Sequence, residues 1–375
     1  MQRMRLNADV LTAGNHPVQG WSGGSAPFRQ RWPWLGGDLQ TLRDTLRVER
    51  LPQERSPLLA VPVGGSERLA VRCDPPMANG EGAEPRGLVV VLHGLGGHSG
   101  RQGVRRLGWL LQRCGFAVWR PNLRGAGPGR ELAAGTYAAA CNRDLLPLLA
   151  EARRRAGGLP LLGAGLSLGG TVLLNALLEQ PGGLDGLACV SSPLDLEACS
   201  ARIAAPRNRI YARWLLRRLI EQTVADPGGL TAAERTALLG GRPPGSIRDF
   251  DAAITAPRWG YGSVEEYYAA ASPLPALLQP GTSGAGLPPA LILQADDDPW
   301  VPAEAAHRLA GALAAGAAAV DRNSWQVLIT RHGGHNGFHG RGDQGGGSWS
   351  DRCVAAWLLA RAAAAASGDG PAARP

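Results

Sequence analysis

No stretch of the 375-residue chain approaches the roughly 18 uninterrupted apolar residues of a membrane-spanning helix, so none is expected. The opening MQRMRLNADVLTAGNHPVQG lacks the apolar run of a secretory leader, and a cytoplasmic address is expected. Cysteine is sparse: residues 73, 114, 141, 189, 199 and 353 form no CxxC pair, which removes the usual zinc and redox spacings. Several sit in apolar runs, as Cys114 does in LLQRCGFAVW, and read as small buried hydrophobes in a reducing compartment. There is no GxxxxGK[ST] phosphate cradle, no dinucleotide fingerprint after a strand and no internal repeat, so no cofactor is expected.

What the chain has in excess is positive charge. The formal net charge is +8, carried by arginine and scattered rather than gathered into one stripe. RQGVRR (101–106) and EARRR (151–155) read as polar helix faces. Only RNRIYARWLLRR (207–218) is dense enough to suggest a basic amphipathic surface for phosphate or peripheral membrane contact, and a solvated helix face is the simpler reading. No nucleic-acid-binding module accompanies the charge, so no nucleic-acid partner is expected.

Residues 1–27 are rich in Gly, Pro and Ser and read as a loose arm, and 360–375 as a low-complexity tail that begins helical. Between them, over 28–359, short apolar runs alternate with helical patterns. GLVVVLHG (87–94), FAVWRPNLRG (116–125), LPLLGAG (159–165), LDGLACVSSP (184–193), PPALILQADDDP (288–299) and SWQVLITRHGGH (324–335) have strand character. GWLLQRCG (108–115), residues 136–155 and LGGTVLLNALLEQ (168–180) have helical character. Continuous rather than alternating apolar runs imply strands buried on both faces, hence a mostly parallel sheet flanked by helices. Residues 195–274 break the rhythm: they are helical throughout and read as a cap inserted over one edge of the sheet.

The chemistry centres on GAGLSLGG. Gly165 and Gly169 flank Ser167 at −2 and +2, between a strand and a helix, as a nucleophile elbow requires, because only small residues escape a clash in that turn. A serine hydroxyl needs a base to take its proton, and in this architecture the order is serine, acid, histidine. RHGGHNGFHG offers His332, His335 and His339 for the base, and ADDDP offers Asp296, Asp297 and Asp298 for the acid. The HxxHxxxH spacing does not predict a metal, since the glycines oppose a helix that would align the imidazoles. VLHGLGG places the backbone N–H of Leu95 where it could serve, with that of Leu168, as an oxyanion hole.

These residues resemble the YheT-like branch of the α/β-hydrolases, the AB-hydrolase-4 family, over about 28–357. WPWLGGDLQTL (32–42) is similar to its early N-P-H-L-Q-T signature, with Asp38 where a His is usual. NLRGAGPG (122–129) is similar to its N/H-x-R-G-C-x-G segment, with Ala126 for Cys. SSPLDLEACS (191–200), residues 247–277, DDP (297–299) and GGHNGF (333–338) match further family segments. The resemblance implies an α/β-hydrolase fold, Ser167 as nucleophile and His335 as base. Asp298 is favoured as the acid because DPWVP fits the family's D-x-x-V-P turn, with Asp297 as the alternative. Arg124, Asp251 and Tyr267 read as framework residues. It further implies a carboxylesterase or lipase-like enzyme acting on a small-molecule ester with an apolar acyl chain. An acyltransferase using the same triad, or a catalytically silent fold that binds a lipid or protein, is the alternative.

Overall fold

The apolar runs form strands β1 (Leu58–Gly64), β2 (Glu67–Asp74), β3 (Leu88–Leu92), β4 (Ala117–Pro121), β5 (Leu161–Leu166), β6 (Gly186–Val190), β7 (Ala290–Ala295) and β8 (Trp325–Thr330). They belong to a computed structural model that describes residues 28–77, 84–241, 243–279, 286–343 and 347–366. The arm expected over 1–27 and most of the tail therefore lie outside the described residues. The strands make one sheet in the order β1-β2-β4-β3-β5-β6-β7-β8, parallel from β4 through β8 and antiparallel at the β1–β2 and β2–β4 pairings.

Helices α1 (Gly36–Leu46), α2 (Gln102–Arg113), α3 (Asn142–Ala156) and α4 (Leu168–Glu179) accompany the first strands. All five residues of β3 are buried, as a continuous apolar run demands. Val89 and Val91 point to one face, where Leu107 and Leu110 of α2 lie. Val90 and Leu92 point to the other, against Leu148 of α3 and Val172 of α4. The first face also receives Trp357 of the C-terminal helix.

Between β6 and β7 the described residues contain helices and no strand: α5 (Leu196–Ala204), α6 (Arg209–Val224), α7 (Ala232–Leu239), α8 (Ile247–Phe250), a π-turn at Asp251–Thr255, α9 (Ala256–Arg258), α10 (Val264–Ala271) and α11 (Leu274–Leu278). Local signals start several of them. Asp195 accepts from Ala198 N–H at α5, and Thr231 with Glu234 forms a reciprocal capping box at α7. Leu216, Leu219, Leu238, Phe250 and Ile254 give this cap a small core of its own. Helices α12 (Glu304–Ala315) and α13 (Trp349–Ala366) complete the fold. The stretch set apart from residue 360 thus starts inside α13, where Ala362 is buried. Among the described residues no helix is long and apolar enough to cross a membrane.

Two expectations change. The β1–β2 hairpin and α1 add to the six strands read from the sequence. The helix expected from 136 starts at Asn142, because Thr136–Cys141 runs as a loop whose Tyr137 hydroxyl is used elsewhere.

Candidate active site

Ser167 stands between the end of β5 and the start of α4 with φ 55° and ψ −132°. A non-glycine residue held there costs on the order of 1–3 kcal/mol, so the surroundings must over-determine it. They do: Ser167 N–H donates to Val190 O at 2.8 Å, and Gly170 N–H donates to Ser167 O at 3.0 Å. A side chain at Gly165 would collide with the Gly170 backbone, and one at Gly169 with the Leu92 and His93 carbonyls. The two glycines are therefore what lets the first turn of α4 press against β3 and β5.

His335 lies in the loop after β8, with Nε2 2.9 Å from Ser167 Oγ and Nδ1 3.0 Å from Asp298 Oδ2. Asp298 is 2% exposed. Its Oδ1 accepts from Trp300 and Val301 N–H at 2.8 and 2.9 Å, and its Oδ2 also lies 3.3 Å from the Gln294 amide nitrogen. The three adjacent aspartates diverge. Asp297 accepts from Gly334 N–H at 2.8 Å and lies 3.1 Å from His332 Nδ1, bracing the histidine loop. Asp296 pairs at the surface with His307 at 2.7 Å. The Trp300 ring covers His335 at 4.5 Å between centroids.

The histidine loop is also held from the other end of the chain. His335 N–H donates to Thr41 Oγ1 at 2.8 Å. Gln40 Nε2 donates to His339 O at 2.9 Å while its Oε1 accepts from His339 N–H at 2.7 Å. Asp38, in the place of the usual His, meets Arg207 and Tyr211 of the cap at 3.1 and 3.2 Å. His339 faces Asp44 instead of the serine. Asp44, Glu49 and His339 bring ligand-type atoms within 4.8 Å of one another, but the guanidinium groups of Arg43 and Arg106 already neutralise the carboxylates.

The loop after β3 is tied to the same point. Burial pushes the His93 imidazole down to about 4, so it is neutral at physiological pH; Nδ1 lies 2.9 Å from Gly94 O while Nε2 accepts from Leu123 N–H. The Tyr137 hydroxyl accepts from Gly96 N–H at 2.7 Å and donates to Gly94 O at 3.1 Å. Among the described residues, the N–H groups of Leu95 and Leu168 donate to no protein acceptor, and both residues line the same cavity as Ser167 and His335. That cavity has a volume of about 280 Å³, and its cap wall includes Leu196, Ile203, Trp214, Leu219 and Phe250.

Sequence reading missed Gln40, Thr41, Tyr137 and Gln294, which support the site through loops. Gln40 and Thr41 were within reach, since both lie in the WPWLGGDLQTL segment. Arg124, by contrast, is buried against Asp144 at 2.6 and 2.8 Å, as a turn brace would be.

A mostly parallel sheet, a strained serine between strand and helix, and a histidine–carboxylate pair from later strands define the chain as an α/β-hydrolase. Residues 83–244 match the family described as serine aminopeptidase, S33 (Hydrolase_4). That span includes Leu95 and Ser167 and stops short of Asp298 and His335. The chain is 28% identical over 309 residues to phospholipase ABHD3 of Mus musculus, covering 82% of this chain and 72% of that one. It is likewise 28% identical over 282 residues to YheT of Escherichia coli, covering 74% of this chain and 77% of that one. A soluble variant of the Saccharomyces cerevisiae monoglyceride lipase shares the fold, with a TM-score of 0.52 at 15% identity, covering 84% of this chain and 99% of that one. Within its class, the chain is similar to the YheT-like α/β-hydrolases.

Proposed function

We propose that the chain hydrolyses carboxylic esters through an acyl-enzyme, with Ser167 as nucleophile, His335 as base and Asp298 as the acid that orients it. The observation that carries this reading is the unbroken Ser167–His335–Asp298 hydrogen-bond chain opening into a cavity walled by apolar cap residues. His335 Nε2 takes the proton as Ser167 Oγ attacks the ester carbonyl, and the N–H groups of Leu95 and Leu168 stabilise the oxyanion. The proton then passes from His335 to the departing alcohol. A water molecule, deprotonated by His335, attacks the acyl carbonyl, and His335 returns that proton to Ser167 Oγ as the acid leaves. Asp298 accepts from backbone N–H groups on one oxygen and from Nδ1–H on the other, which leaves Nε2 free to take the serine proton. The similarity to a protein named a phospholipase supports an apolar acyl chain, which the cap wall suits.

Fluorophosphonate labelling of the intact protein, of Ser167→Ala and of His335→Ala tests this. Labelling that vanishes in both variants, with turnover of p-nitrophenyl esters by the intact protein, is the expected result. A well-folded protein that neither labels nor turns over esters would overturn the reading.

A further inference from the structure

Most of the buried arginines have a carboxylate partner. Arg106 meets Asp44 and Asp351, Arg120 meets Asp74 and Arg124 meets Asp144, and the half-buried Arg258 likewise meets Asp226 and Glu234. Two half-buried arginines beside the candidate active site break this habit. Arg101, at the start of α2, lines the catalytic cavity and lies 3.3 Å through one guanidinium nitrogen from Gly96 O. Arg218, on the cap helix α6, crosses over the same glycine: its Cβ and Cδ lie 3.8 and 4.0 Å from where a Gly96 side chain would begin. Its guanidinium sits over the Trp214 ring at 5.2 Å, and its Nε is buried without a hydrogen-bond partner.

Among the described residues neither Arg101 nor Arg218 forms an ion pair, although the adjacent Arg217 reaches Glu221 at 3.7 Å. The two instead repel each other. Burial, and then Arg218, lowers the proton affinity of Arg101, and burial followed by both arginines lowers that of His98 beside them. A concentration of positive charge withdrawn from water without a counter-charge is costly unless something anionic completes it. The planar guanidinium presents paired donors that match phosphate and carboxylate oxygens. The place is also specific, because Gly96 adjoins Leu95, whose N–H points to no protein acceptor.

We infer that Arg101 and Arg218 form an anion subsite at the edge of the cavity, holding a phosphate or carboxylate borne by the ester substrate. This specificity rests on the ester-hydrolase reading above. It also gives a role to the arginine-dense 207–218 stretch: Arg218 is half-buried against Gly96, while Arg213 and Arg217 on the same helix are exposed.

The test compares two esters of one acyl chain, one with a neutral alcohol and one whose alcohol bears a phosphate, in the intact protein, Arg218→Gln, Arg218→Glu and Arg217→Gln. The phosphate ester is presented both dissolved and, with a long acyl chain, within vesicles of neutral lipid. The expected result is that Arg218→Gln lowers the anionic-to-neutral ratio of kcat/KM by about tenfold, mainly through KM, and Arg218→Glu by more. Arg217→Gln, which removes the same charge from the same helix, should leave the ratio unchanged. Loss in the vesicle arm alone would assign the anion to a lipid headgroup, and loss in both arms to a phosphate recognised in either setting. Calorimetric binding of inorganic phosphate, weakened by Arg218→Gln but not by Arg217→Gln, supports the subsite without requiring turnover. If neither ester is hydrolysed yet phosphate binds in this way, the ester reading falls and the subsite stands. If the neutral ester is hydrolysed while the ratio and phosphate binding are the same in all four proteins, the subsite falls and the ester reading stands.

Discussion

Three aspartates in a row occupy three different environments. Asp296 is at the surface with His307, Asp297 fastens the backbone of the histidine loop, and Asp298 is buried against His335 Nδ1. Asp298→Asn should therefore lower kcat by about 10⁴-fold, the scale on which neutralising the orienting carboxylate of a triad acts, because the amide would favour the wrong imidazole tautomer. Asp297→Asn should cost less than about tenfold in kcat and act mainly on stability, since the Gly334 N–H would keep an oxygen acceptor. Steady-state kinetics of the two variants, with denaturation midpoints, decide this; equal losses of kcat would overturn the assignment. Residue types alone narrowed the acid to a short cluster, and the family resemblance favoured Asp298 over Asp297; neighbours so close along a chain differ only in where the turn aims them.

At the scale of elements, strands buried on both faces were legible and the edge was not. β3 and β5 are continuous apolar runs, whereas β1 buries Val61 and Val63 and leaves alternate positions exposed, with Pro62 between them. Such a strand belongs to a sheet edge, where proline is tolerated, and its apolar signal is half as dense. Helix α1 was missed for a similar reason: its buried residues are Gln40 and Arg43, polar side chains whose partners include His339 and Glu49 beyond the helix. That helix nevertheless steadies the histidine loop through Thr41 and Gln40. Thr41→Val should leave the buried His335 N–H without its acceptor, at a cost of about 1–3 kcal/mol. The expected outcome is a several-fold lower kcat and slower fluorophosphonate labelling with little change in KM, both restored in Thr41→Ser. A variant that loses only thermal stability would remove the positioning role.

Across the whole molecule, burial of neutral His93 makes stability depend on pH. The unfolded imidazole protonates near its ordinary value of 6.5, whereas the folded one resists until about 4. The unfolded state therefore binds more protons in this window, so the stability His93 contributes is intact above 6.5 and lost as pH falls toward 4. The loss is on the order of 3 kcal/mol. Urea unfolding at pH 7 and 4.5 should show a larger drop in the intact protein than in His93→Asn; equal drops would dismiss the effect. By itself the sequence determined the local devices: apolar runs that must be covered on both faces, glycines two residues either side of Ser167, and a cap read from unbroken helical pattern. These depend on contacts between near neighbours and on periodicity, which a linear string carries. Residue types and spacing left three histidines and three aspartates open, the family resemblance singled out His335 and favoured Asp298, and only the tertiary structure decided which arginines are left without a partner. Those outcomes depend on residues such as Thr41, Gly96 and Asp298, far apart in the chain, reaching the same few ångströms through loops whose directions no periodicity encodes.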